Sequence, residues 1–170
     1  TEAVLPFSTG VIGERLPVSK IVAALPAAYS DLSESGWLDA ALGILTTDTR
    51  PKGESVQLQL KNKSVAITGI AKGSGMIKPN MATMLSYVAT DIAINPPLLQ
   101  QLVGDAVEAS FNRITVDGDT STNDCAMLVA TGASGVEYSE LSEVEQILFN
   151  TQLNQLFISL AQQIIQDGEG

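Results

Sequence analysis

An α/β domain is what this sequence predicts: strand-like and helix-like segments alternate along its length, 45% of the residues are apolar, and no internal repeat or low-complexity tract breaks the pattern. With 170 residues and only 16% of them charged, a single domain over 1–170 with a substantial core is expected.

The elements follow in order. TEAVLPFSTGVIGERLP reads as a strand ending in a turn, and Pro17 or Ser19 then opens a helix through VSKIVAALPAAYSDL, interrupted at Pro26 because proline supplies no amide donor. ESGWLDAALGILTTDT predicts a short helix followed by a buried strand. In ESVQLQLKNKSVAITGIAKGSG apolar and polar residues alternate on either side of the turn-like KNKS, a β-hairpin pattern. ATMLSYVATDIAI is apolar throughout, so it fits a buried helix or a strand equally. NPPLLQQLVGDAVEASFNRI is amphipathic with prolines in its first turn, the place where a missing N–H costs least. ITVDGDTSTNDCAMLVATG runs from loop to buried strand, and SELSEVEQILFNTQLNQLFISLAQQIIQ is a long helix with a Ser142–Glu145 capping box. Both ends of the chain read as cut, the first on a strand-like run and the last at DGEG, directly after a helix.

Composition excludes several kinds of function. Nine basic residues against 19 acidic ones give a net charge of -10, which repels nucleic acid and anionic membrane surfaces. No apolar run approaches the roughly 20 residues that span a bilayer, and TEAVLPFSTG has neither the basic n-region nor the apolar h-region of a signal peptide, so a cytoplasmic or organelle-stroma location is expected. The lone Cys125, in CAMLVATG, reads as a small buried apolar residue. There is no histidine, which removes Ser-His-Asp triads, Cys-His pairs and the common zinc sites together. Any nucleophile needs a different base.

Three polar clusters stand outside the expected core: Ser8-Thr9-Gly10, Thr46 to Thr49, and Asp117 to Asp124. The last has oxygens spaced as in a calcium loop at Asp117, Asp119, Ser121 and Asn123. Thr122 then replaces the required glycine and Leu128 the bidentate acid, so a hydrogen-bonded turn is the expectation and no metal is. Each cluster taken alone would also serve as a strand end or a cap.

The segment KGSGMIKPNMATML combines backbone constraint at Gly73, Gly75 and Pro79 with a hydroxyl at Thr83. A threonine can work without histidine when its own α-amine is the base, and that requires the preceding peptide bond to be broken. With a pKa of about 7.7 to 8.0, a free α-amine is partly unprotonated near neutrality and can accept the hydroxyl proton. On the residues alone, self-cleavage at Ala82-Thr83 and a plain tight crossover both remain open.

GIAKGSGMIKPNMATML, with STGVIGERLP, TTDT, TVDGDTSTND and DGEG in this order, resembles the ornithine acetyltransferase (glutamate N-acetyltransferase) family of arginine biosynthesis, often bifunctional. The resemblance covers essentially the whole chain, which corresponds to the middle of a family member lacking an N-terminal segment and a C-terminal domain. It implies an α/β layered sandwich of helices and sheets similar to N-terminal-nucleophile enzymes. It also implies self-cleavage between Ala82 and Thr83, with 1–82 ending an α chain and 83–170 starting a β chain. The two chains would stay together and assemble into a higher homo-oligomer.

By the same resemblance Thr83 takes the acetyl group from N-acetylornithine and passes it to glutamate, while Thr9 and Gly10 form the oxyanion hole. Thr49, Lys72 and Glu169 fall on substrate-binding positions, with Lys72 suited to an α-carboxylate and Glu169 to a cationic amine. Without the motif context, both would be read as solvated surface charges. No cofactor is implied, and acetyl-coenzyme A is left open as a second acetyl source. The family's binding asparagine and hydroxyl residue near the C-terminus have no counterpart before Gly170, and Phe7 and Lys78 have no assigned role. Two other readings share these motifs: an N-terminal-threonine aminopeptidase or amidase that gives its acyl group to water, and an inactive fragment of the acetyltransferase.

Overall fold

The computed structural model describes Phe7 and residues 13–78, 84–121 and 123–169. The expected N-terminal strand therefore lies outside the described residues, as do Thr9, Gly10, Ala82, Thr83 and Thr122.

Among the described residues, four α-helices and four strands run in the order α1 (Val18–Ser30), α2 (Trp37–Gly43), β1 (Lys52–Leu60), β2 (Lys63–Lys72), β3 (Leu85–Thr90), α3 (Pro96–Ala109), β4 (Cys125–Ala130) and α4 (Glu143–Gln166). The strands form one sheet in sequence order, with β1, β2 and β3 antiparallel in turn and β4 parallel to β3. This is the expected α/β class. The hairpin is as predicted: Lys61 and Asn62 both have positive φ, 49° and 59°, as a two-residue type I′ connection requires. Within ATMLSYVATDIAI, Leu85–Thr90 is strand β3 and not helix. Its parallel pairing with β4 is made possible by a crossover through α3, whose N-terminus is capped by the Asn95 side chain accepting from the Leu98 N–H at 3.0 Å.

Along β2, Val65, Ile67 and Ala71 alternate toward a core completed by Val88 of β3 and by Phe149, Leu153, Leu156, Phe157, Leu160 and Ile164 of α4. Gly69 lies on this face, where a Cβ would sit 2.8 Å from Val88 Cγ2 and 3.1 Å from Leu156 Cδ2, so the helix packs on the sheet at a distance that excludes a methyl group. The capping box is present: Ser142 accepts from the Glu145 N–H, and Glu145 accepts from the Ser142 N–H at 2.9 Å. Glu145 also accepts from the Lys61 N–H at 2.7 Å, which fixes the start of α4 over the hairpin turn. At the other end the Gln163 amide exchanges two hydrogen bonds with the Gly53 backbone on the edge strand β1, so α4 lies along its length.

Two local expectations are corrected. Pro26 does not interrupt the first helix, which is continuous over Val18–Ser30. The helix has no buried residue, so water can satisfy the carbonyl that Pro26 leaves without a donor, and proline's fixed φ is itself helical. The segment after α2 is not a buried strand but irregular chain, because the Asp48 carboxylate accepts from the Thr46 N–H at 3.4 Å and from Lys52 four residues on, turning the backbone instead of extending it. Cys125 is buried as expected, at 7% exposure. Among the described residues no helix is long and apolar enough to cross a membrane.

Candidate functional site

The topology brings four strand ends to one edge of the sheet. β1 starts there, β2 ends there, and the parallel pair β3 and β4 both start there, so Lys52, Lys72, Met84 and Asp124 are neighbours along that edge. Because α4 runs from the hairpin turn back toward Gly53, its C-terminus delivers Asp167 and Glu169 to the same place.

A buried ion cluster ties these segments together. Lys52, with no exposed surface, donates to Asp48 Oδ1 and to Asp167 Oδ2, each at 2.6 Å, and to the Arg50 carbonyl at 3.4 Å. Asp48 Oδ1 also accepts from the Gly73 N–H at 2.6 Å, joining the TTDT loop to KGSG. Asp167 accepts from both the N–H and the hydroxyl of Thr49, joining the same loop to the end of α4. Burial works to raise the Asp167 carboxyl, but the hydrogen bonds from Lys52 and Thr49 and the Lys52 charge outweigh it and hold the group at about 2. Asp48 is held below the ordinary carboxylate range in the same way, burial being overcome by Lys52 and by the Gly73 and Thr46 N–H groups.

Around this cluster sit the residues that the motifs single out. Lys72 is 3% exposed, not the solvated charge its residue type alone would suggest, and its ammonium donates to the Thr46 hydroxyl at 2.9 Å. Burial pulls it below the ordinary lysine range, and the Lys52 charge acts in the same sense, while Asp48 and Asp124 oppose them. Glu169 is exposed. Its Oε1 accepts from the Ser74 hydroxyl at 3.3 Å, its N–H donates to the Ser74 carbonyl at 2.8 Å, and Ser74 and Thr47 share a hydrogen bond of 2.7 Å. A Cβ on Gly75 would lie 2.9 Å from Glu169 Oε2, so the glycine of KGSG makes room for that carboxylate. Thr49, Lys72 and Glu169 thus belong to three chain segments linked by one hydrogen-bonded network. Thr9, Gly10, Ala82 and Thr83 lie outside the described residues.

The described residues of the DGDTSTND segment form a turn network at the same edge. Asp117 accepts from the N–H groups of Met76, Ile77 and Asp119, and Ser121 accepts from the Asn123 N–H. Leu128, which would have to be the bidentate ligand of a calcium loop, is buried in β4. Asp124 Oδ1 accepts from the Met84 N–H at 2.8 Å, and burial, opposed by that hydrogen bond and by Lys72, pushes its carboxyl up to about 6. Beside it a cleft of about 290 Å³ is lined by Ile77, Met84, Phe111, Ile114, Asp124 and Cys125.

The Lys52–Asp48–Asp167 cluster went unseen in the sequence. Its traces were the i, i+4 spacing of Asp48 and Lys52 and the aspartate of DGEG, both of which pass for ordinary surface charge until the two chain segments are known to meet.

The family model for ArgJ matches residues 1–170, the whole chain. The chain belongs to the ArgJ family. Similar ArgJ proteins include the arginine biosynthesis bifunctional protein ArgJ of Pseudomonas syringae pv. tomato, 53% identical over 171 residues, and that of Pseudomonas fluorescens, 54% identical over 170. These alignments cover 99% and 98% of this chain but 42% of each relative, so the chain spans less than half the length of the ArgJ proteins it matches. The crystal structure of ArgJ from Bacillus halodurans is 37% identical over 47% of this chain and 38% of its own, with a TM-score of 0.42.

Proposed function

We propose that this chain is the central part of a self-processing acetyltransferase of arginine biosynthesis, located in the cytoplasm or an organelle stroma. The observation that carries this reading is the convergence of the Thr49, Lys72 and Glu169 segments at the sheet edge where Met84, the residue after Thr83, enters β3. Membership of the ArgJ family supports it.

In this reading the Thr83 hydroxyl attacks the Ala82 carbonyl carbon, the acyl group moves from nitrogen to oxygen, and water hydrolyses the ester to leave Thr83 as a new N-terminus. In turnover Thr83 Oγ1 attacks the acetyl carbonyl of N-acetylornithine while the α-amine takes the hydroxyl proton. Thr9 and Gly10 hold the oxyanion, and collapse returns the proton to the departing ornithine amine. The amine of glutamate then attacks the acetyl ester and releases Thr83. Lys72 receives the substrate carboxylate and Glu169 the cationic amine, so a cation and an anion flank the acetyl group from the two linked loops. Acetyl-coenzyme A, as a thioester, could acylate the same hydroxyl. The two chains produced by cleavage stay associated.

The test uses the full-length protein and its Thr83→Ala variant, analysed by intact mass and by transfer of a labelled acetyl group. Wild type should yield two chains, the second starting at Thr83 and gaining an acetyl group on incubation with N-acetylornithine; the variant should remain one folded, inactive chain. Cleavage of Thr83→Ala at the same bond would overturn the reading. Acetate release at the rate of ornithine release, with no transfer to glutamate, would instead identify an amidase.

A further inference from the structure

Taking Thr83 as the nucleophile, as proposed above, we infer that Asp124 is a positioning residue that holds the reactive threonine through the backbone of Met84. Both backbone groups of Met84 are held at the entry of β4. Its N–H donates to Asp124 Oδ1 at 2.8 Å, and its carbonyl accepts from the Cys125 N–H at 3.0 Å. Regular pairing of β3 with β4 starts one residue later, at Leu85 and Cys125. The Met84 nitrogen is bonded directly to the carbonyl carbon of Thr83, so the Asp124 carboxylate is fixed to the atom from which Thr83 extends.

This tether carries more weight after cleavage than before it. In the precursor the chain continues on both sides of Thr83. Once the Ala82-Thr83 bond is broken, Met84 is the sole covalent attachment of the nucleophile, and rotation or displacement at Met84 passes straight to the hydroxyl and the α-amine. A displacement of about 1 Å at a reacting group is enough to cost on the order of 100-fold in rate. A side-chain carboxylate suits the task because its hydrogen bond to an N–H is charge-assisted and stronger than a neutral one. The setting keeps it directed: Asp124 is half-buried beside the cleft formed by Ile77, Met84 and Phe111, and the balancing positive charge is Lys72 at the end of β2.

The experiment compares Asp124→Ala and Asp124→Asn in the full-length enzyme, with chain cleavage followed by mass and transfer by steady-state kinetics. Asp124→Ala should still cleave, but its kcat should fall by about 30- to 100-fold with KM for N-acetylornithine within about twofold. Asp124→Asn keeps an amide oxygen to accept from the Met84 N–H and should recover kcat to within about fivefold of wild type. If Asp124→Ala does not fold, Asp124→Glu replaces it: a carboxylate one methylene further out should lower kcat by about tenfold or more at unchanged KM. A folded Asp124→Ala, or in its place Asp124→Glu, with kcat within twofold of wild type overturns the inference, as does an Asp124→Asn impaired as severely as Asp124→Ala. Thr83→Ala separates the two levels. If it is inactive while Asp124→Ala is unimpaired, only the positioning role falls; if it still transfers acetyl groups, the nucleophile assignment falls as well.

Discussion

Replacing Lys52 with Met should destabilise the protein in a way that depends on pH. The substitution keeps the volume and removes the cation between two buried carboxylates, whose side chains are 0% and 3% exposed. Removing one partner of a buried ion pair costs about 3 to 5 kcal/mol, because the other charge is left desolvated. The Asp167 carboxyl, held down by Lys52 together with the Thr49 hydroxyl and N–H, points to a contribution of similar order from the whole set. Its fall from the ordinary 3.8 to about 2, at about 1.4 kcal/mol for each pH unit, corresponds to roughly 2 to 3 kcal/mol. Since its value is lower folded than unfolded, that stability is fully present above about pH 5 and is lost as the pH falls from about 4 through 2.

In Lys52→Met the sign reverses. Burial remains, the cation is gone, and the two carboxyls move upward, so the variant is penalised most where the unfolded chain is fully ionised. The gap from wild type should therefore be about 3 to 5 kcal/mol at pH 7.5 and at least about 1 kcal/mol smaller at pH 4.5. Urea unfolding of the two full-length proteins at both pH values measures it. A gap under 1 kcal/mol at pH 7.5, or one unchanged at pH 4.5, would refute the assignment of Lys52 as the neutralising centre.

Gly69→Ala should cost about 1 to 3 kcal/mol in the same assay, since the new methyl meets Val88, Leu156 and Leu160 at 2.8 to 3.2 Å; an unchanged midpoint would mean that α4 shifts freely on the sheet. Glu169→Gln should leave chain cleavage intact and raise KM for N-acetylornithine by about tenfold or more, the worth of one charge-assisted hydrogen bond; an unchanged KM removes Glu169 from the amine site. Lys72→Met should likewise weaken substrate binding, read as a higher KM, with little change in unfolding; a loss of stability equal to that of Lys52→Met would make Lys72 structural instead.

Most of the fold was legible because its signals are local. The Asn95-Pro-Pro start of α3, the capping box of α4 and the alternation about Lys61-Asn62 each specify backbone geometry within a few residues. Pro26 was tolerated because its helix is exposed, whereas the expected strand after α2 is lost where a side chain competes with the backbone. Thr46 to Thr49 has strand-like composition, but the Asp48 carboxylate draws in the Thr46 and Gly73 N–H groups and Lys52, an arrangement that depends on a segment 25 residues away. In the site the motif residues could be named from their pattern, whereas the ion cluster beneath them could not. Asp167 and Lys52 are 115 positions apart and meet only because α4 runs back along β1.

The two lysines of this sheet edge are almost equally buried, so burial does not separate their roles; donor capacity does. An ammonium has three N–H donors. Those of Lys52 match three acceptors, Asp48, Asp167 and the Arg50 carbonyl, and two of these are ionised. Such a group has nothing left with which to bind a ligand, and its charge is already neutralised. Lys72 is bonded, among the described residues, to the Thr46 hydroxyl alone, a neutral partner, and its carboxylate neighbours Asp48 and Asp124 are each engaged by backbone N–H groups. Burial lowers the proton affinity of Lys72, and the nearby charges of Asp48 and Asp124 offset that only in part. Under the proposed function, a substrate carboxylate would supply two acceptor oxygens and a further negative charge to this ammonium. Lys52 holds the loops, and under the proposed function Lys72 is the lysine whose ammonium can meet a substrate carboxylate.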